Sequence, residues 1–181
     1  MKRGLIIFSN NMEDAEGIFT RDLLIRAGLK IDVASSDSKD ITTAFGLKVK
    51  TDYLLSEISP SEYDFLVIPG GKYVMEIINN DKVIKNLILE FHKSQKLIAA
   101  ICAAPRFLGQ LGLLSKTKFT CYPGCEIDMP YGIYQKDEEV VKDKNIITAR
   151  SVAAVVPFCA AIIDDQLSKE AVSCLLEEIV L

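Results

Sequence analysis

The sequence contains no tryptophan, a single histidine and no marked excess of charge of either sign. Its 21 Lys and Arg residues against 25 Asp and Glu residues give a net charge of −4, which provides no basic footprint for nucleic acid or an anionic membrane. No apolar run reaches the length of a transmembrane helix. The first residues lack the apolar core and cleavage site of a signal peptide, so we expect a soluble cytoplasmic protein with no nucleic-acid or membrane partner.

The scarcity of histidine limits metal binding and acid–base chemistry. His92 falls inside a predicted helix, away from the strand ends where sites form, and we interpret it as a surface or boundary residue. Cys121 and Cys125 lack the Cys-x-x-Cys spacing, and no second pair or nearby histidine completes a zinc site. We therefore predict no metal and no cofactor.

Five cysteines are an odd number for a disulfide framework in a chain with no secretory signal. Reduced thiols are the expected state. Cys159 and Cys174 lie in apolar helical patterns and are predicted to be packing residues. The 181 residues suit a single domain, residues 1–181, with a hydrophobic core that needs no disulfide or metal.

Short apolar runs alternate with helical patterns along the chain. The predicted strands are 4–9, 29–35, 65–69, 96–101, 140–141 and 145–149, and the predicted helices are 15–27, 82–94, 105–114, 152–163 and 168–179. This alternation predicts an α/β fold with right-handed crossovers and a mostly parallel sheet carrying helices on both faces. The segment 121–134 is richest in Gly and Pro and is predicted to be a loop over the edge of the sheet.

The most informative stretch reads Leu-Ile-Ala-Ala-Ile-Cys-Ala-Ala-Pro, at residues 97–105. An apolar strand ends at Cys102, small residues follow, and Pro105 opens a helical pattern. This order is typical of a nucleophile elbow, with sulfur in place of the usual serine hydroxyl. The start of a helix favours the thiolate, so Cys102 is the candidate nucleophile. The alternative is a buried cysteine that only fills space.

Two further strand ends carry candidate site residues. Gly70 and Gly71 follow the 65–69 strand and allow the backbone to approach a neighbour closely, although a plain turn would also contain them. Glu16 lies in the first turn of the first helix. It either complements the helix dipole, as Glu13 and Asp14 could, or points inward beside the thiol with a raised pKa.

Together these residues resemble the ThiJ/PfpI superfamily, and most closely the branch that contains Parkinson disease protein 7. The resemblance covers nearly the whole chain and rests on residues 5–28, 62–71, 97–105 and 145–150. It implies a flavodoxin-like three-layer sandwich with a nucleophile elbow. It also implies a homodimer built partly from the first helix, with Phe19 and Leu23 among its apolar contacts.

The resemblance further implies a role for individual residues. Cys102 would be the reactive thiol, and Glu16 would be a protonated carboxyl group that is hydrogen-bonded to it. The backbone N–H groups of Gly71, next to Gly70, and of Ala103 would form an oxyanion pocket.

Three more positions match residues near the site or the dimer contact in that branch, and two depart from the family pattern. Asp22 matches an acid that reaches the partner subunit's site. Arg26 and Arg150 match arginines near the site or the dimer contact. Tyr122 stands where the Parkinson branch carries a histidine, and Ala103 stands where the protease-like branch carries one. The resemblance therefore does not extend to a peptidase.

These features predict a cysteine-dependent, cofactor-independent enzyme of the glyoxalase or deglycase type, acting on small aldehydes such as methylglyoxal. Because Cys102 lacks a histidine partner, we expect weak turnover. The alternative is an oxidative-stress sensor or chaperone-like protein in which Cys102 is oxidised to sulfinate. An inert scaffold of the same fold would leave the elbow and Glu16 unexplained.

Overall fold

The computed structural model describes residues 1–181 as strands and helices in close alternation. The strands are β1 Arg3–Ile7, β2 Lys30–Ser35, β3 Asp40–Thr42, β4 Lys48–Lys50, β5 Tyr53–Leu54, β6 Phe65–Ile68, β7 Leu97–Ile101, β8 Lys118–Phe119, β9 Ile133–Tyr134, β10 Val140–Asp143 and β11 Ile146–Ala149. The helices are α1 Thr20–Arg26, α2 Lys72–Ile77, α3 Val83–Lys93, α4 Pro105–Gln110, α5 Val155–Gln166 and α6 Lys169–Glu178.

Seven strands form the central sheet, in the order β10-β11-β7-β6-β1-β2-β5. Every pairing in it is parallel except that of β10 with β11. The central strands β1, β6 and β7 are almost completely buried, as their continuous apolar sequences require when helices cover both faces. The predicted α/β fold with a mostly parallel sheet is confirmed.

The helices pack on the sheet through apolar stripes. In α3 the buried side chains Ile84, Leu87, Ile88 and Phe91 recur at spacings of three and four residues, which places them on one face. A π-helical turn, Ala15–Phe19, precedes α1 without a break. None of these helices is long and apolar enough to cross a membrane.

Most predicted boundaries differ from the structure by one or two residues, and a few predictions were wrong. The helix predicted over 105–114 ends at Gln110, and the chain turns at Gly112, where φ is 73°. The segment 121–134 is not only a loop, because it contains a 3-10 turn, Cys125–Asp128, and β9. Cys174 is exposed, because α6 buries a different face through Leu175.

Candidate active site

The nucleophile elbow follows β7 directly. Cys102 has a φ of 64°, a left-handed conformation that is uncommon outside glycine. Its N–H donates to the Ala149 carbonyl oxygen at 2.9 Å, and the Ala104 N–H closes the turn on the Ile101 carbonyl oxygen at 3.0 Å. Strain of this kind persists where the surroundings hold it, and it accumulates at functional sites. The half-buried Cys102 side chain is presented at the carboxyl end of the sheet.

Glu16 points inward from the π-helical turn and is 1% exposed. Its Oε2 atom accepts a hydrogen bond of 2.8 Å from the Gly70 N–H. Cys102 adjoins the same carboxyl group, because the position that a Cβ on Gly70 would take lies 2.6 Å from both the Cys102 Cβ and Glu16 Oε2, and Glu16 Oε1 is buried with no hydrogen-bond partner. Asp14 instead accepts hydrogen bonds from the Thr43 hydroxyl at 2.7 Å and the Phe45 N–H at 3.2 Å. The interpretation of Glu16 as a surface acid that complements the helix dipole is therefore wrong.

Two glycines allow the loop after β6 to touch this pair. A Cβ atom on Gly70 would lie 2.6 Å from the Cys102 Cβ and 2.6 Å from Glu16 Oε2. Gly71 has a φ of 121°, and a Cβ there would lie 2.5 Å from the Glu13 backbone nitrogen. Both approaches are closer than any side chain permits, so the loop is more than a plain turn.

Burial raises the pKa of Glu16 to about 7, above its usual value. Hydrogen bonds from Cys102 and from the Gly70 N–H oppose that rise, because they stabilise the carboxylate. The direction agrees with the prediction of an inward carboxyl group that keeps its proton near neutral pH.

Burial also raises the pKa of Cys102, and the neighbouring Glu16 carboxylate raises it further. The thiolate expected from the helix position is therefore not favoured while Glu16 is ionised. α4 contains only six residues, so its helix dipole stabilises the Cys102 thiolate only weakly against these two effects. The pair accommodates one negative charge, and Cys102 becomes a thiolate most readily when Glu16 carries the proton and donates it in a hydrogen bond.

The family resemblance implies two backbone N–H groups, at Gly71 and Ala103, as the oxyanion donors. The Ala103 N–H, on the residue next to Cys102, lowers the pKa of the thiol because it favours the thiolate. The N–H groups of Gly71 and Ala103 make no hydrogen bond to a backbone carbonyl. Free N–H groups beside a nucleophile are the donors that an oxyanion requires.

Tyr122 and Arg150 both lie next to the elbow. The Tyr122 N–H donates to the Cys102 carbonyl oxygen at 2.9 Å, while half of the Tyr122 side chain is exposed. Arg150 directly follows Ala149, the residue whose carbonyl accepts from the Cys102 N–H.

Asp22 and Arg26 lie elsewhere in this chain. Arg26 forms ion pairs with Asp22 at 3.0 Å and with Glu178 at 2.8 Å. Because α1 runs back from the site end of β1 toward the start of β2, Arg26 sits at the opposite end of the sheet from Cys102. Within its own chain Arg26 therefore lies away from the thiol, and of the two predicted places, the site or the dimer contact, only the dimer contact stays open as a prediction.

His92 lies at the end of α3 that leads into β7, and Cys102 follows the other end of that strand. Five strand residues at about 3.3 Å each separate the two ends by roughly 16 Å. The structure thus confirms that His92 is far from the site and cannot serve as its general base.

Sequence reasoning missed two residues beside the elbow, Arg106 and Cys125. Arg106 lies in the first turn of α4 and forms an ion pair with Asp128, and its Nε atom is buried without a hydrogen-bond partner. Cys125 begins the 3-10 turn that this ion pair holds. The sequence carried no local signal for either residue, because Cys102 lies outside the helix that contains Arg106 and their proximity depends on the turn between them.

Comparisons with known proteins agree with this geometry. Residues 2–165 match the model of the DJ-1/PfpI family. The chain is 30% identical over 173 residues to Protein dj-1beta of Drosophila melanogaster, covering 94% of this chain and 92% of that protein. It is 33% identical over 147 residues to a protein of Pyrococcus horikoshii named as a deglycase, covering 81% of this chain and 88% of that protein.

The crystal structure of Drosophila melanogaster DJ-1beta superposes with a TM-score of 0.94 at 28% identity, over 99% of this chain and 98% of that chain. This agreement extends the flavodoxin-like topology over the whole sheet. The chain belongs to the DJ-1/PfpI family.

Proposed function

We propose that the protein is a thiol-dependent enzyme of the deglycase or glyoxalase type, which converts small reactive aldehydes such as methylglyoxal to hydroxy acids. The observation that carries the proposal is the buried Glu16 carboxyl, which lies beside Cys102 at the elbow and keeps its Oε1 atom without a hydrogen-bond partner. A relative from Pyrococcus horikoshii with 33% identity is named as a deglycase, which supports the same chemistry.

The first step is addition of the Cys102 sulfur to the aldehyde carbon. A bond forms between sulfur and carbon, the carbonyl electron pair moves to oxygen, and a hemithioacetal results. The N–H groups of Gly71 and Ala103 would receive the developing negative charge on that oxygen. Glu16 enters this step as the acid, because its proton stabilises the thiolate before the attack.

The Glu16 proton passes to the oxyanion, which gives the neutral hemithioacetal and leaves Glu16 as a carboxylate. In the second step Glu16 would take the hydrogen from the hemithioacetal carbon, the neighbouring ketone oxygen would take up a proton, and an enediol results. Glu16 would then return its proton to the neighbouring carbon, while the hydroxyl on the sulfur-bearing carbon loses its proton and becomes the thioester carbonyl. The product of that transfer is a thioester on Cys102. Water then cleaves the bond between carbon and sulfur, which releases the hydroxy acid and the free thiol. A pKa of about 7 suits a group that must both accept and donate a proton.

The experiment is a methylglyoxal-consumption assay on the wild type, Cys102→Ser and Cys174→Ser. Cys174 is an exposed thiol on α6, so its removal controls for non-specific thiol chemistry. Cys102→Ser should abolish consumption, and Cys174→Ser should retain it. Equal consumption by wild type and Cys102→Ser would refute the proposal.

A second candidate function follows from the absence of a histidine at the site. Without a general base beyond Glu16, aldehyde turnover would be slow. Peroxide could then oxidise Cys102 faster than Cys102 reacts with aldehydes. The protein would then act as an oxidative-stress sensor or chaperone-like protein. Its mark would be oxidation of Cys102 by mild peroxide, with aldehyde consumption no higher than that of Cys102→Ser.

We also propose a homodimer, as the family resemblance implies, with Phe19 and Asp22 in the contact. Leu23, the third residue predicted there, is 0% exposed and packs inside its own chain, so that part of the prediction was wrong. A groove runs between the start of α1 and the β3–β4 hairpin and is lined by Ile18, Phe19, Leu47 and Val49. Phe19 and Leu47 both line this groove and are 39% and 48% exposed, so two large apolar side chains face solvent together. Asp22 lines the same groove, so a second copy seated there would meet the acid.

A further inference from the structure

Three cysteines lie around the elbow, and the proposed aldehyde chemistry uses only one of them. Cys102 and Cys125 are both half-buried and pack against the same hydrophobic core, whereas Cys121 is fully buried. In a protein with reduced thiols, a second cysteine beside a reactive one has a chemical consequence of its own.

Two consecutive hydrogen bonds connect Cys125 to the elbow. The Tyr122 N–H donates to the Cys102 carbonyl oxygen at 2.9 Å, and the Cys125 N–H donates to the Tyr122 carbonyl oxygen at 3.0 Å. The two side chains also influence each other electrostatically, because the charge of a Cys125 thiolate raises the pKa of Cys102. Cys125 is therefore joined to the elbow through the backbone of Tyr122 alone, with no further segment between them.

Arg106 supplies positive charge next to Cys125. Burial raises the pKa of Cys125, and the Arg106 guanidinium opposes that rise. The ion pair with Asp128 fixes the guanidinium against the turn that begins at Cys125. Because Arg106 Nε is buried with no hydrogen-bond partner, the site retains a donor for a negatively charged group.

We propose that Cys125 is the resolving cysteine of Cys102, and that mild peroxide converts the two thiols to an intramolecular disulfide. The proposal rests on the reactivity of Cys102, which the proposed function also requires. It adds a modification at the same site that would reversibly switch off the aldehyde chemistry.

The reaction consumes one peroxide for each disulfide. The Cys102 thiolate attacks one peroxide oxygen, so a bond between sulfur and oxygen forms, the O–O bond breaks, and water leaves after protonation. Sulfur is thereby oxidised by two electrons to sulfenic acid. The Cys125 sulfur then attacks the Cys102 sulfur, the S–S bond forms, and the sulfenic oxygen leaves as a second water with the thiol proton.

The chain on the Cys125 side can adjust to a disulfide. A disulfide requires Cα atoms about 4.4–6.8 Å apart, and the segment between Tyr122 and Cys125 is exposed and contains Gly124 in the left-handed conformation. Cys121 is less able to move. The residue before it, Thr120, is tied by its N–H to the Thr148 hydroxyl at 2.9 Å and by its own hydroxyl to the Glu138 carbonyl at 3.0 Å.

The test treats the wild type, Cys125→Ser and Cys121→Ser with near-stoichiometric hydrogen peroxide and maps the thiols by mass spectrometry without reduction. Trypsin cuts after Arg106 and Lys118 but not between Cys121 and Cys125, so a crosslink to Cys102 joins two peptides. The wild type should lose about 2 Da and show the Cys102–Cys125 crosslink, reversible by dithiothreitol. Cys121→Ser should behave in the same way. Cys125→Ser should instead gain about 32 Da at Cys102, the mass of two oxygens.

Formation of sulfinate at Cys102 in the wild type at the same peroxide dose as in Cys125→Ser would overturn the proposal. So would a crosslink that persists in Cys125→Ser. If Cys102 is not reactive at all, the proposed function fails as well, and the result is different. Cys102 would then remain unmodified by peroxide, and Cys102→Ser would consume methylglyoxal as fast as the wild type. If Cys102 supports aldehyde consumption but forms no crosslink, only the resolving role of Cys125 fails.

Discussion

The Gly70 N–H donates a 2.8 Å hydrogen bond to Glu16 Oε2, and the Gly70 Cα leaves no space for a methyl group against that same carboxyl. The loop after β6 thus holds one carboxylate oxygen, while the thiol of Cys102 lies within reach of the group. This arrangement fixes which way Glu16 faces.

Gly70→Ala should therefore disrupt the site by steric overlap. The added Cβ would lie 2.6 Å from both the Cys102 Cβ and Glu16 Oε2, so the variant should lose about 1–3 kcal/mol of unfolding free energy and most aldehyde consumption. Gly112→Ala is the matched control. A Cβ there meets nothing within 4 Å, so it should cost stability only through its φ of 73° and leave activity intact. Full activity in Gly70→Ala would contradict the close approach.

Changing Glu16 should change the pKa of the Cys102 thiol. Glu16→Gln retains a weaker N–H donor, and Glu16→Leu retains none, so the thiol pKa should rise modestly in the first and clearly in the second. The thiol pKa is measured from thiolate absorbance at about 240 nm across pH, with Cys102→Ser subtracted as the background. An unchanged thiol pKa in Glu16→Leu would show that the two groups do not interact.

The unfolding free energy should depend on pH through Glu16. Its pKa is about 7 in the folded chain, against an unperturbed 4.5, so the folded state binds the proton more tightly than the unfolded state. Its contribution is fully present below pH 4.5 and is lost as pH rises through 7. Urea unfolding should show the wild type losing about 2 kcal/mol from pH 5 to pH 8 relative to Glu16→Gln. Parallel curves for the two proteins would exclude a raised pKa.

Light scattering at micromolar concentration should give the mass of a dimer. Phe19→Glu would place a charge in the apolar groove beside Leu47 and should shift the protein to monomer. Ile133→Glu, at a similarly exposed apolar side chain on β9, should leave the dimer intact. A monomeric wild type, or equal dissociation of both variants, would refute this location of the interface.

Hydrophobic periodicity was sufficient to predict the sheet, because buried parallel strands are continuous apolar runs. It did not predict the β3–β4 hairpin, where the strands are three residues long and mostly exposed. It also missed α2, whose six residues span less than two turns. Short elements of this kind depend on tertiary contacts more than on local sequence.

The site was predictable in part for a similar reason. The elbow and the two glycines have local signatures, and Glu16 followed from its place after β1. The effect of burial on the pKa of Cys102 could not be predicted from the sequence, because it depends on how deeply the neighbouring residues enclose the thiol.

The backbone of Cys102 is held by two distant parts of the chain. Its N–H is held by Ala149 and its carbonyl by Tyr122, each at 2.9 Å. The nine residues 97–105 therefore do not form a self-contained cassette. If these residues were copied onto another scaffold, both hydrogen-bond partners would be lost. The backbone at Cys102 would then relax from its left-handed conformation to that of an ordinary turn. Transplanting this thiol into a new protein requires three separate pieces of chain to be moved together.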